Sequence, residues 1–576
     1  MLPIDELETD ILILGTGGAG MMAALHAHEA NPKTRITMIV KGLLGQSGCT
    51  RMVQGGYNCV LNPNDSFERH FEDTIKGGQY INNQDLAWAL VSDSPDRIIE
   101  LENRIGCLFD RNPDGTIHQK AFAGQSFDRT VHKGDLTGIE IMSNLRDYIL
   151  MQENVTVLQE TRGLDLLQVD GRVVGALLLD NRKGRFVVVR AKATLVCTGG
   201  GATMFEISSP SLEKAGDGQA MACRAGAEFI DMEMMQFHPT GLLVGKSIAT
   251  GGLLEEGLRG AGAHLYNALG ERYMQRYSPD KMERATRDVV SRSSYMEIMA
   301  GRGTPSGGVL IDVTHLGAEF VLKNFKGMVD RCREYGFDLV NSRVEVSPSG
   351  HFHMGGITID LNCKSTLEGL FAAGEDAGGV HGANRLGGNG VADSIVFGAR
   401  AGEAMSEYVP NQKMPMASPE QIKQLCARWL APMERTTGPN PFEIREQLEK
   451  VMWRKVGVVR NGDDMRAAVP EIQEIKHRAQ ASSAGGAGSL IYNAKWNEAI
   501  NVENLSTIGE MITRSALARE ESRGAHYRTD FPKQDATWFK NIRMQRANGD
   551  MKIWNTDVKF TRILPPELKE KQTVGV

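Results

Sequence analysis

The segment from His381 to Val391, HGANRLGGNGV, combines four glycines with one histidine and one arginine. A buried strand is predicted before it (residues 369–375) and a helix after it (residues 391–405). Glycines let the backbone approach a ligand closely, and a helix N-terminus offers unpaired N–H groups to an electron-rich ligand. A helix-entry loop without a ligand would contain the same residue types. Which interpretation holds depends on what the rest of the chain places against Arg385.

A second glycine-rich turn lies near the N-terminus, where the apolar segment DILIL leads into GTGGAGMMAALHAHEA. Gly15, Gly17 and Gly20 form G-x-G-x-x-G between a predicted strand and a predicted helix, the context in which this motif binds a dinucleotide pyrophosphate. The next predicted strand (residues 35–40) ends at Lys41, where NAD enzymes commonly place an acidic residue against the ribose. The motif therefore predicts a dinucleotide, and Lys41 argues against NAD.

The composition is that of a multi-domain protein. A length of 576 residues exceeds what one hydrophobic core supports. The net charge of −6 offers no basic surface to nucleic acid. The eight cysteines include no C-x-x-C pair, so we expect no zinc site, no iron–sulfur cluster and no disulfide framework in this chain. The scattered cysteines favour a reducing compartment. The acidic N-terminus predicts no signal peptide, and the lack of a long apolar run predicts no membrane span.

The order of the predicted elements indicates an α/β fold. Residues 63–150 have a mostly helical pattern. Four segments between residues 154 and 191 (NVTVLQE, LDLLQV, RVVGALLLD and RFVVVRA) predict an antiparallel insertion. A strand that runs into three glycines follows at residues 193–202. Past residue 410, three segments with helical spacing and charged faces predict a helical domain.

Six motifs in this order resemble the flavoprotein subunit of the succinate dehydrogenase and fumarate reductase family. They are GTGGAG, TGGG, AGDG, QFHPTGL, AAGE and HGANRLGGNG. The resemblance runs from about residue 8 to about residue 566 and includes the C-terminal segments ESRGAHYRTDFPKQD and DVKFTRILPPE. It implies a Rossmann-like FAD-binding domain with an inserted α+β capping domain and a C-terminal helical domain. The implied boundaries are 1–238 and 351–410 for the FAD-binding domain, 239–350 for the capping domain, 411–525 for the helical domain and 526–576 for a C-terminal extension.

The same resemblance implies where FAD binds. The residues expected against its pyrophosphate are Gly15, Gly17, Gly18 and Gly20, and those expected along the rest of the cofactor are Lys41, Ser47, Gly55, Gly56, Asp217, Glu375, Gly390 and Val391. Cys49 stands where membrane-complex members carry the histidine that is covalently linked to FAD. A histidine linkage is therefore excluded, and we expect non-covalent FAD, with a thioether through Cys49 as the alternative.

The resemblance also implies a fumarate–succinate site. His238, His351 and Arg385 are expected to hold the substrate carboxylates. Arg287 is expected to donate a proton, with Glu256 and Arg259 as its relay. From general chemistry alone, Arg287 would be an electrostatic clamp, because a guanidinium group resists deprotonation. His353, two residues after His351, has no role implied by the family, and we expect no metal at this H-x-H pair.

Glu255 occupies a position where the family carries a threonine. Its negative charge would oppose a substrate carboxylate unless Glu255 is protonated or paired with an arginine, so a related dicarboxylate remains an alternative substrate. An L-aspartate oxidase and a non-catalytic electron-transfer flavoprotein are further alternatives. An iron–sulfur partner subunit is expected, because the chain has no cluster or heme motif of its own. A membrane anchor beyond that partner, and a cytoplasmic or peripheral location, follow from the same resemblance.

Overall fold

The computed structural model describes residues 4–486 and 488–573. Residues 1–3, 487 and 574–576, which include the start of the acidic N-terminus and the end of the C-terminal extension, lie outside the described residues. The strands are β1 (Ile4–Leu14), β2 (Ile36–Ile39), β3 (Tyr57–Asn58), β4 (Gln119–Lys120), β5 (Thr130–Val131), β6 (Val155–Leu158), β7 (Thr161–Val169), β8 (Arg172–Asp180), β9 (Arg185–Val196), β10 (Glu228–Ile230), β11 (Met235–Leu242), β12 (His264–Tyr266), β13 (Val309–Asp312), β14 (Val344–His353), β15 (Gly356–Thr358), β16 (Leu370–Ala372), β17 (Ala377–Gly378), β18 (Lys540–Ala547) and β19 (Asp550–Asp557). The helices are α1 (Gly18–Ala30), α2 (Phe67–Gly77), α3 (Gln84–Asn103), α4 (Thr137–Leu150), α5 (Asp217–Ala225), α6 (Glu256–Gly260), α7 (Met274–Tyr277), α8 (Arg287–Glu297), α9 (Ala318–Asn324), α10 (Lys326–Glu334), α11 (Asn389–Tyr408), α12 (Pro419–Glu434), α13 (Pro441–Val456), α14 (Gly462–Gln480), α15 (Ala494–Ala518) and α16 (Pro566–Thr573).

A seven-stranded sheet organises the dinucleotide-binding half of the chain. Its order is β6-β2-β1-β9-β8-β7, and β16 also pairs with β9. Strand β1 lies between β2 and β9, both parallel to it, with Ile11 opposite Ile36 on one side and Ala193 on the other. The four residues that end β1 are buried completely. A continuous apolar run is what a parallel strand covered on both faces requires.

The prediction of one antiparallel insertion is wrong in part. Strand β6 pairs in parallel with β2 and extends the main sheet. The segment RFVVVRA continues through ATLV as the single strand β9, parallel to β1 over its whole length and antiparallel to β8 at its start. Only β7, β8 and the start of β9 form the antiparallel part. Apolar patterning identifies a strand but not its partner, and this is why the grouping failed.

The helix after the first glycine turn packs very closely against its surroundings. A Cβ on Gly20 would lie 2.0 Å from the Gly15 carbonyl oxygen, and Gly15 itself has a φ of +121°. On the other face of α1, a Cβ on Gly398 of α11 would lie 2.4 Å from the Ala19 carbonyl oxygen. Glycine permits these backbone contacts because it lacks a side chain. The two helices that begin at the glycine-rich turns, α1 and α11, are therefore packed directly together.

Strands β11 and β14 connect the sheet region with residues 243–343. They pair in an antiparallel manner, with His238 opposite Ser349, and together with β13 and β12 they form a four-stranded sheet. The enclosed segment has its own hydrophobic core, which includes Leu258, Ile311 and Val344. We propose on this basis that the predicted capping domain is a distinct structural unit, because its apolar residues pack mainly on one another.

The C-terminal half contributes four long helices, α12 to α15, where the sequence predicted three. Each begins at a polar side chain that accepts a hydrogen bond from a backbone N–H of the first turn: Ser418, Asn440, Asn461 and Asn493, respectively. Helix α15 lies within the predicted helical domain, but it is buried on most of its faces and has no marked apolar stripe. A helix covered all round lacks the amphipathic pattern on which recognition from sequence depends.

The C-terminal extension is tied to the rest of the chain by strands and buried charges. Strand β18 pairs with β10 on one side and with β19 on the other. At the end of α15, Arg519 is completely buried, and its guanidinium group donates to Glu233 at 2.6 Å and to Glu521 at 3.0 Å. Asp231 lies 3.4 Å from the same group. Removal of one member of such a cluster leaves buried charges without a partner.

We expect Arg519→Ala to lower the free energy of unfolding by about 3–5 kcal/mol, because Glu233 and Glu521 would lose their shared cation. Urea denaturation followed by circular dichroism measures the change. The matched control is Arg466→Ala, whose ion pair with Asp463 is exposed, and for which we expect a loss below about 0.5 kcal/mol. Equal urea concentrations at the midpoint of unfolding for the two variants would show that the buried cluster does not stabilise the fold.

Candidate active site

Two adjoining cavities run from the first glycine turn to the capping region. The first, about 140 Å³, lies beside the start of α1, and the second, about 520 Å³, reaches the residues of α6 and α8. Both are lined by residues 47–50 together with Lys214, Glu375 and Ser394. Because they share these walls, they form one continuous cleft, and its size is in the range of about 300–1,000 Å³ that is typical of ligand sites.

Almost all residues expected to bind FAD line this cleft. Those on the first cavity are Gly15, Gly17, Gly18, Lys41, Ser47, Cys49, Asp217 and Glu375. Those on the second are Ser47, Cys49, Gly55, Gly56, Glu375, Gly390 and Val391. The structure does not bring Gly20 to the cleft, because it packs on the Gly15 carbonyl instead. Its place in the motif is explained by close packing of the helix on the strand.

The glycine turn fits the pyrophosphate of FAD. A Cβ on Gly17 would meet only one protein atom within 4 Å, Thr50 Oγ1 at 3.3 Å, so the cavity in front of this residue is not filled by a side chain. Helix α1 begins at the next residue. The partial positive charge of a helix N-terminus and its free N–H groups stabilise a phosphate at this point.

The wall opposite the turn is built from ion pairs. Lys41 Nζ lies 2.6 Å from an Asp217 oxygen, and Arg162 contacts the other oxygen at 2.8 Å. Burial and the nearby Arg162 lower the pKa of Lys41 to about 8. Burial alone would raise the pKa of Asp217, but Lys41 and Arg162 hold it at about 2. The pair therefore stays ionised at neutral pH, and Lys41 and Asp217 act on a ligand as a fixed polar wall.

Sequence reasoning missed Lys214, which closes the same wall. Its ammonium group makes a short ion pair with Glu375. The other Glu375 oxygen accepts a hydrogen bond from the backbone N–H of His353 at 2.9 Å. The His353 ring is completely buried, and its Nε2 lies 2.9 Å from the Met232 carbonyl oxygen. The position of His353 is thus explained by contacts within the fold that also hold Glu375.

The two candidate substrate histidines lie on neighbouring strands. His238 is on β11 and His351 is on β14, and their ring centroids are 5.4 Å apart. His351 Nδ1 lies 2.9 Å from the Ser209 hydroxyl. Burial and the adjacent Arg287 lower the pKa of both histidines well below the ordinary value. Both rings are therefore neutral at physiological pH and interact with a ligand through hydrogen bonds rather than charge.

A buried cluster of arginines forms the floor of the second cavity. Arg287 opens α8, and its Nε donates to Glu256 at 2.8 Å, while Arg259 donates to the other Glu256 oxygen at 3.2 Å. Burial alone would raise the pKa of Glu256, but Arg287 and Arg259 hold it below the ordinary value. Of these three residues, Glu256 and Arg287 line the cavity, whereas Arg259 lies behind them with no exposed surface.

Gln236 joins this cluster to Arg385, and sequence reasoning missed it although it begins the motif QFHPTGL. Its side-chain oxygen accepts from Arg287 at 3.2 Å and from Arg385 at 3.1 Å. Burial and Arg287 lower the pKa of Arg385 to about 9. Within the described residues, Arg385 makes no ion pair, and its buried Nε has no hydrogen-bond partner. An anionic ligand would satisfy this group.

The charges of the cluster do not balance. Arg259, Arg287 and Arg385 are all buried. Within the described residues, Glu256 is the carboxylate that pairs with Arg259 and Arg287, and Arg385 pairs with none. Three positive charges against one negative charge leave two positive charges beside neutral histidines. Buried charges without partners are costly, so the site is complementary to a ligand with two negative charges.

Glu255 lines the cleft next to Glu256, but it is not free. Lys120 Nζ lies 2.5 Å from Glu255 Oε1. The sequence predicted that Glu255 would be protonated or paired with an arginine, and in the structure its partner is a lysine instead. Lys120 is separated from Glu255 by 135 residues in the chain, and no motif contains it. No sequence pattern could therefore have revealed this pair.

The part of the chain that the structure describes contains no helix with the length and apolar character needed to cross a membrane. The eight cysteines are free thiols.

Two family models match this chain. The model described as "FAD binding domain" matches residues 10–391, and the model described as "Fumarate reductase flavoprotein C-term" matches residues 445–572. The first match covers both glycine-rich turns and all the candidate site residues. It therefore identifies FAD as the dinucleotide that the cleft holds.

Named relatives and solved structures share nearly the full length of the chain. It is 44% identical to an uncharacterised FAD-dependent oxidoreductase of Methanocaldococcus jannaschii over 93% of this chain and 96% of that one. It is 41% identical to a fumarate reductase (CoM/CoB) subunit of Methanothermobacter marburgensis over 94% of this chain and 97% of that one. A solved quinol fumarate reductase flavoprotein of E. coli superimposes with a TM-score of 0.92 at 32% identity, covering 98% of each chain. The predicted fold class is confirmed by this similarity.

We expect Gly17→Val to weaken retention of FAD by at least about tenfold, because a side chain here would project into the space expected for the pyrophosphate, with Thr50 Oγ1 as the close protein neighbour of its Cβ. The flavin content of the purified protein, read from its visible absorbance, measures the effect. Gly260→Ala serves as control, since a Cβ there meets no atom within 4 Å and lies outside the cleft. Full flavin content in Gly17→Val would place the pyrophosphate elsewhere.

Proposed function

The chain belongs to the family of succinate dehydrogenase and fumarate reductase flavoprotein subunits and is an FAD-dependent oxidoreductase, and from this we propose that it interconverts fumarate and succinate in the cleft below the capping region. The observation that carries the proposal is the pair of unbalanced buried arginine charges. A dicarboxylate brings two negative charges, which equal the unbalanced positive charges in number and are opposite to them in sign. The neutral histidines supply hydrogen bonds to the same carboxylates.

In this proposal, binding and orientation are the work of three residues. Arg385 pairs with one substrate carboxylate through a guanidinium group that has unused donors. His238 and His351 donate hydrogen bonds from adjacent strands. A substrate fixed in this way has its C=C bond in a set position, so that reaction does not require a search for the right geometry.

FAD, when bound and reduced by two electrons, would supply a hydride to one alkene carbon of fumarate. The pair of electrons of the broken C=C bond moves to the other alkene carbon, which takes a proton to give succinate. Arg287 is the proposed proton donor, because it is the guanidinium group that both lines the cavity and contacts a buried carboxylate. A guanidinium group is a weak acid, but a carbanion is a strong enough base to accept its proton.

Glu256 is proposed to accept a proton from Arg259 and pass it to Arg287. Glu256 bridges the two guanidinium groups with separate oxygens. Arg259 also donates to the backbone carbonyl oxygen of Glu283 at 2.8 Å, which holds it in place within the capping region. In the reverse reaction, the same residues accept the proton that succinate loses.

FAD is proposed to be bound without a covalent link. Cys49 lines both cavities, so its thiol is near the cofactor. Burial raises the pKa of this thiol, although Lys214 opposes the shift. A protonated thiol is a poor nucleophile, and the position lacks the histidine of the covalently linked members.

Electrons are proposed to reach the flavin through an iron–sulfur partner subunit. The E. coli relative of known structure belongs to a quinol fumarate reductase, and a relative of Wolinella succinogenes is named as the flavoprotein subunit of an 8-methylmenaquinol:fumarate reductase. The relative from Methanothermobacter marburgensis is named for CoM and CoB instead. A cytoplasmic location, with or without a membrane anchor subunit, is compatible with both kinds of donor.

The reaction itself is tested with the purified chain alone. Reduced viologen replaces the partner as electron donor, and we expect oxidation of viologen that depends on fumarate. Aspartate with oxygen is the comparison, because an L-aspartate oxidase would consume oxygen and form hydrogen peroxide. Turnover of aspartate without turnover of fumarate would replace the proposed function with that of an oxidase.

We expect Arg385→Ala to keep its FAD and to lose at least about 100-fold in kcat/KM for fumarate, since a charged hydrogen-bonding partner of the substrate is removed. Flavin content and viologen-linked turnover are measured on the same preparation. The control is Arg400→Ala, which we expect to retain turnover. Arg400 lies on α11, the helix that follows the loop, and it pairs with Asp93 outside the cleft. Loss of FAD from Arg385→Ala would mean that the loop mainly holds the cofactor.

Acid precipitation of the wild-type protein is expected to release the flavin into the supernatant, and Cys49→Ser is expected to keep a wild-type flavin content, because the cofactor is held by contacts along the whole cleft. Absorbance of supernatant and pellet measures the distribution. Flavin that stays with the wild-type pellet, but not with that of Cys49→Ser, would demonstrate a thioether.

A further inference from the structure

Glu255 places a second acidic side chain beside Glu256, in a cleft that is proposed to accept a dianion. It is the residue before α6, its side chain is 5% exposed, and it lines the same cavity as Glu256, Arg287 and Arg385. Glu256 is already shared between two arginines. An additional unpaired carboxylate would repel a substrate carboxylate, and this repulsion is strong where water is excluded.

An ion pair with Lys120 neutralises this side chain. Lys120 ends β4, in a three-stranded sheet with β3 and β5, whereas Glu255 belongs to the capping region. Its Nζ lies 2.5 Å from Glu255 Oε1 and 3.4 Å from the Gly134 carbonyl oxygen. The ion pair therefore forms only when the two regions lie against each other, as they do in this structure.

The surroundings of the pair show why the lysine is needed. Burial raises the pKa of Glu255, Lys120 opposes that shift, and Asp135 and Glu256 add to it. Phe122, which lines the cleft, has its ring centroid 5.7 Å from Lys120 Nζ. Without the lysine, Glu255 would face two acidic neighbours and the substrate with no partner of opposite charge.

We propose that Lys120 is a positioning residue for substrate binding: its pairing with Glu255 prevents that carboxylate from opposing the dianion and makes the closed cleft selective for a dicarboxylate. This inference rests on the proposed reduction of fumarate. Lys120 does not touch the reacting atoms, so it acts on binding through Glu255. We therefore expect a change in KM rather than in kcat, because the proposed proton donor Arg287 and the residues that line the proposed FAD site are unchanged.

The test is a double-mutant cycle on the full chain with FAD bound, using reduced viologen and fumarate. Lys120→Met keeps the length of the side chain and removes the charge, and we expect it to raise KM by about ten- to a hundredfold with kcat within about twofold of wild type. Glu255→Gln in the Lys120→Met background removes the unpaired carboxylate, and we expect KM to return to within about threefold of wild type. Flavin content is measured for each variant.

Lys133→Met is the matched control. Lys133 pairs with Asp110 at 3.7 Å, its side chain is 42% exposed, and its partner Asp110, unlike Glu255, does not line the cleft. We expect its KM to equal that of wild type. An unchanged KM in Lys120→Met would overturn the inference. Failure of Glu255→Gln to rescue Lys120→Met would overturn it too, because the pair would then act only as a structural link between the regions.

The outcome also separates this inference from the proposed function. If the wild-type protein does not reduce fumarate, the proposed function fails and the inference falls with it. If the wild-type protein is active and the Lys120 and Glu255 variants show neither a loss nor a rescue in KM, the proposed function stands and only the role of Lys120 is rejected.

Discussion

The structure depends on a buried excess of positive charge. Arg259 and Arg287 share the carboxylate of Glu256, and Arg385 shares with Arg287 only the neutral side chain of Gln236. Burial of a guanidinium group without a counter-charge is unfavourable, so this arrangement is explained by a ligand that supplies the missing negative charges. A substrate with two carboxylates would supply two such charges.

The residues that carry these charges come from segments that are far apart in the chain. The main sheet and the packed helices α1 and α11 fix the cofactor cleft and the loop that carries Arg385. The paired strands β11 and β14 carry the two histidines and lead into the capping region, which brings Glu256 and Arg287. The reactive arrangement exists only when the capping region lies on the sheet region. An ion pair across that junction, Lys120–Glu255, includes a residue that lines the same cavity as Arg287 and Arg385, and we propose that it affects substrate binding.

Local patterns in the sequence predicted the parts of this arrangement that are local. The glycine turn before α1 and the helix after Arg385 were recognisable, because a strand, a turn and a helix are contiguous in the chain. The resemblance to known flavoproteins indicated which histidines and arginines meet. The parallel partner of β6, the buried helix α15 and the lysine partner of Glu255 were not predictable. Each depends on contacts between distant segments, or on burial that removes the amphipathic pattern.

The measurement that most directly tests the proposed reduction of fumarate is a single turnover without any electron-transfer partner. The purified chain, with its FAD reduced by dithionite under anaerobic conditions, is mixed with fumarate, and the flavin absorbance is followed by stopped flow. We predict reoxidation of the flavin with one succinate formed per flavin. A flavin that stays reduced in the presence of fumarate, but is reoxidised by another acceptor, would contradict the proposed site and its charge complementarity.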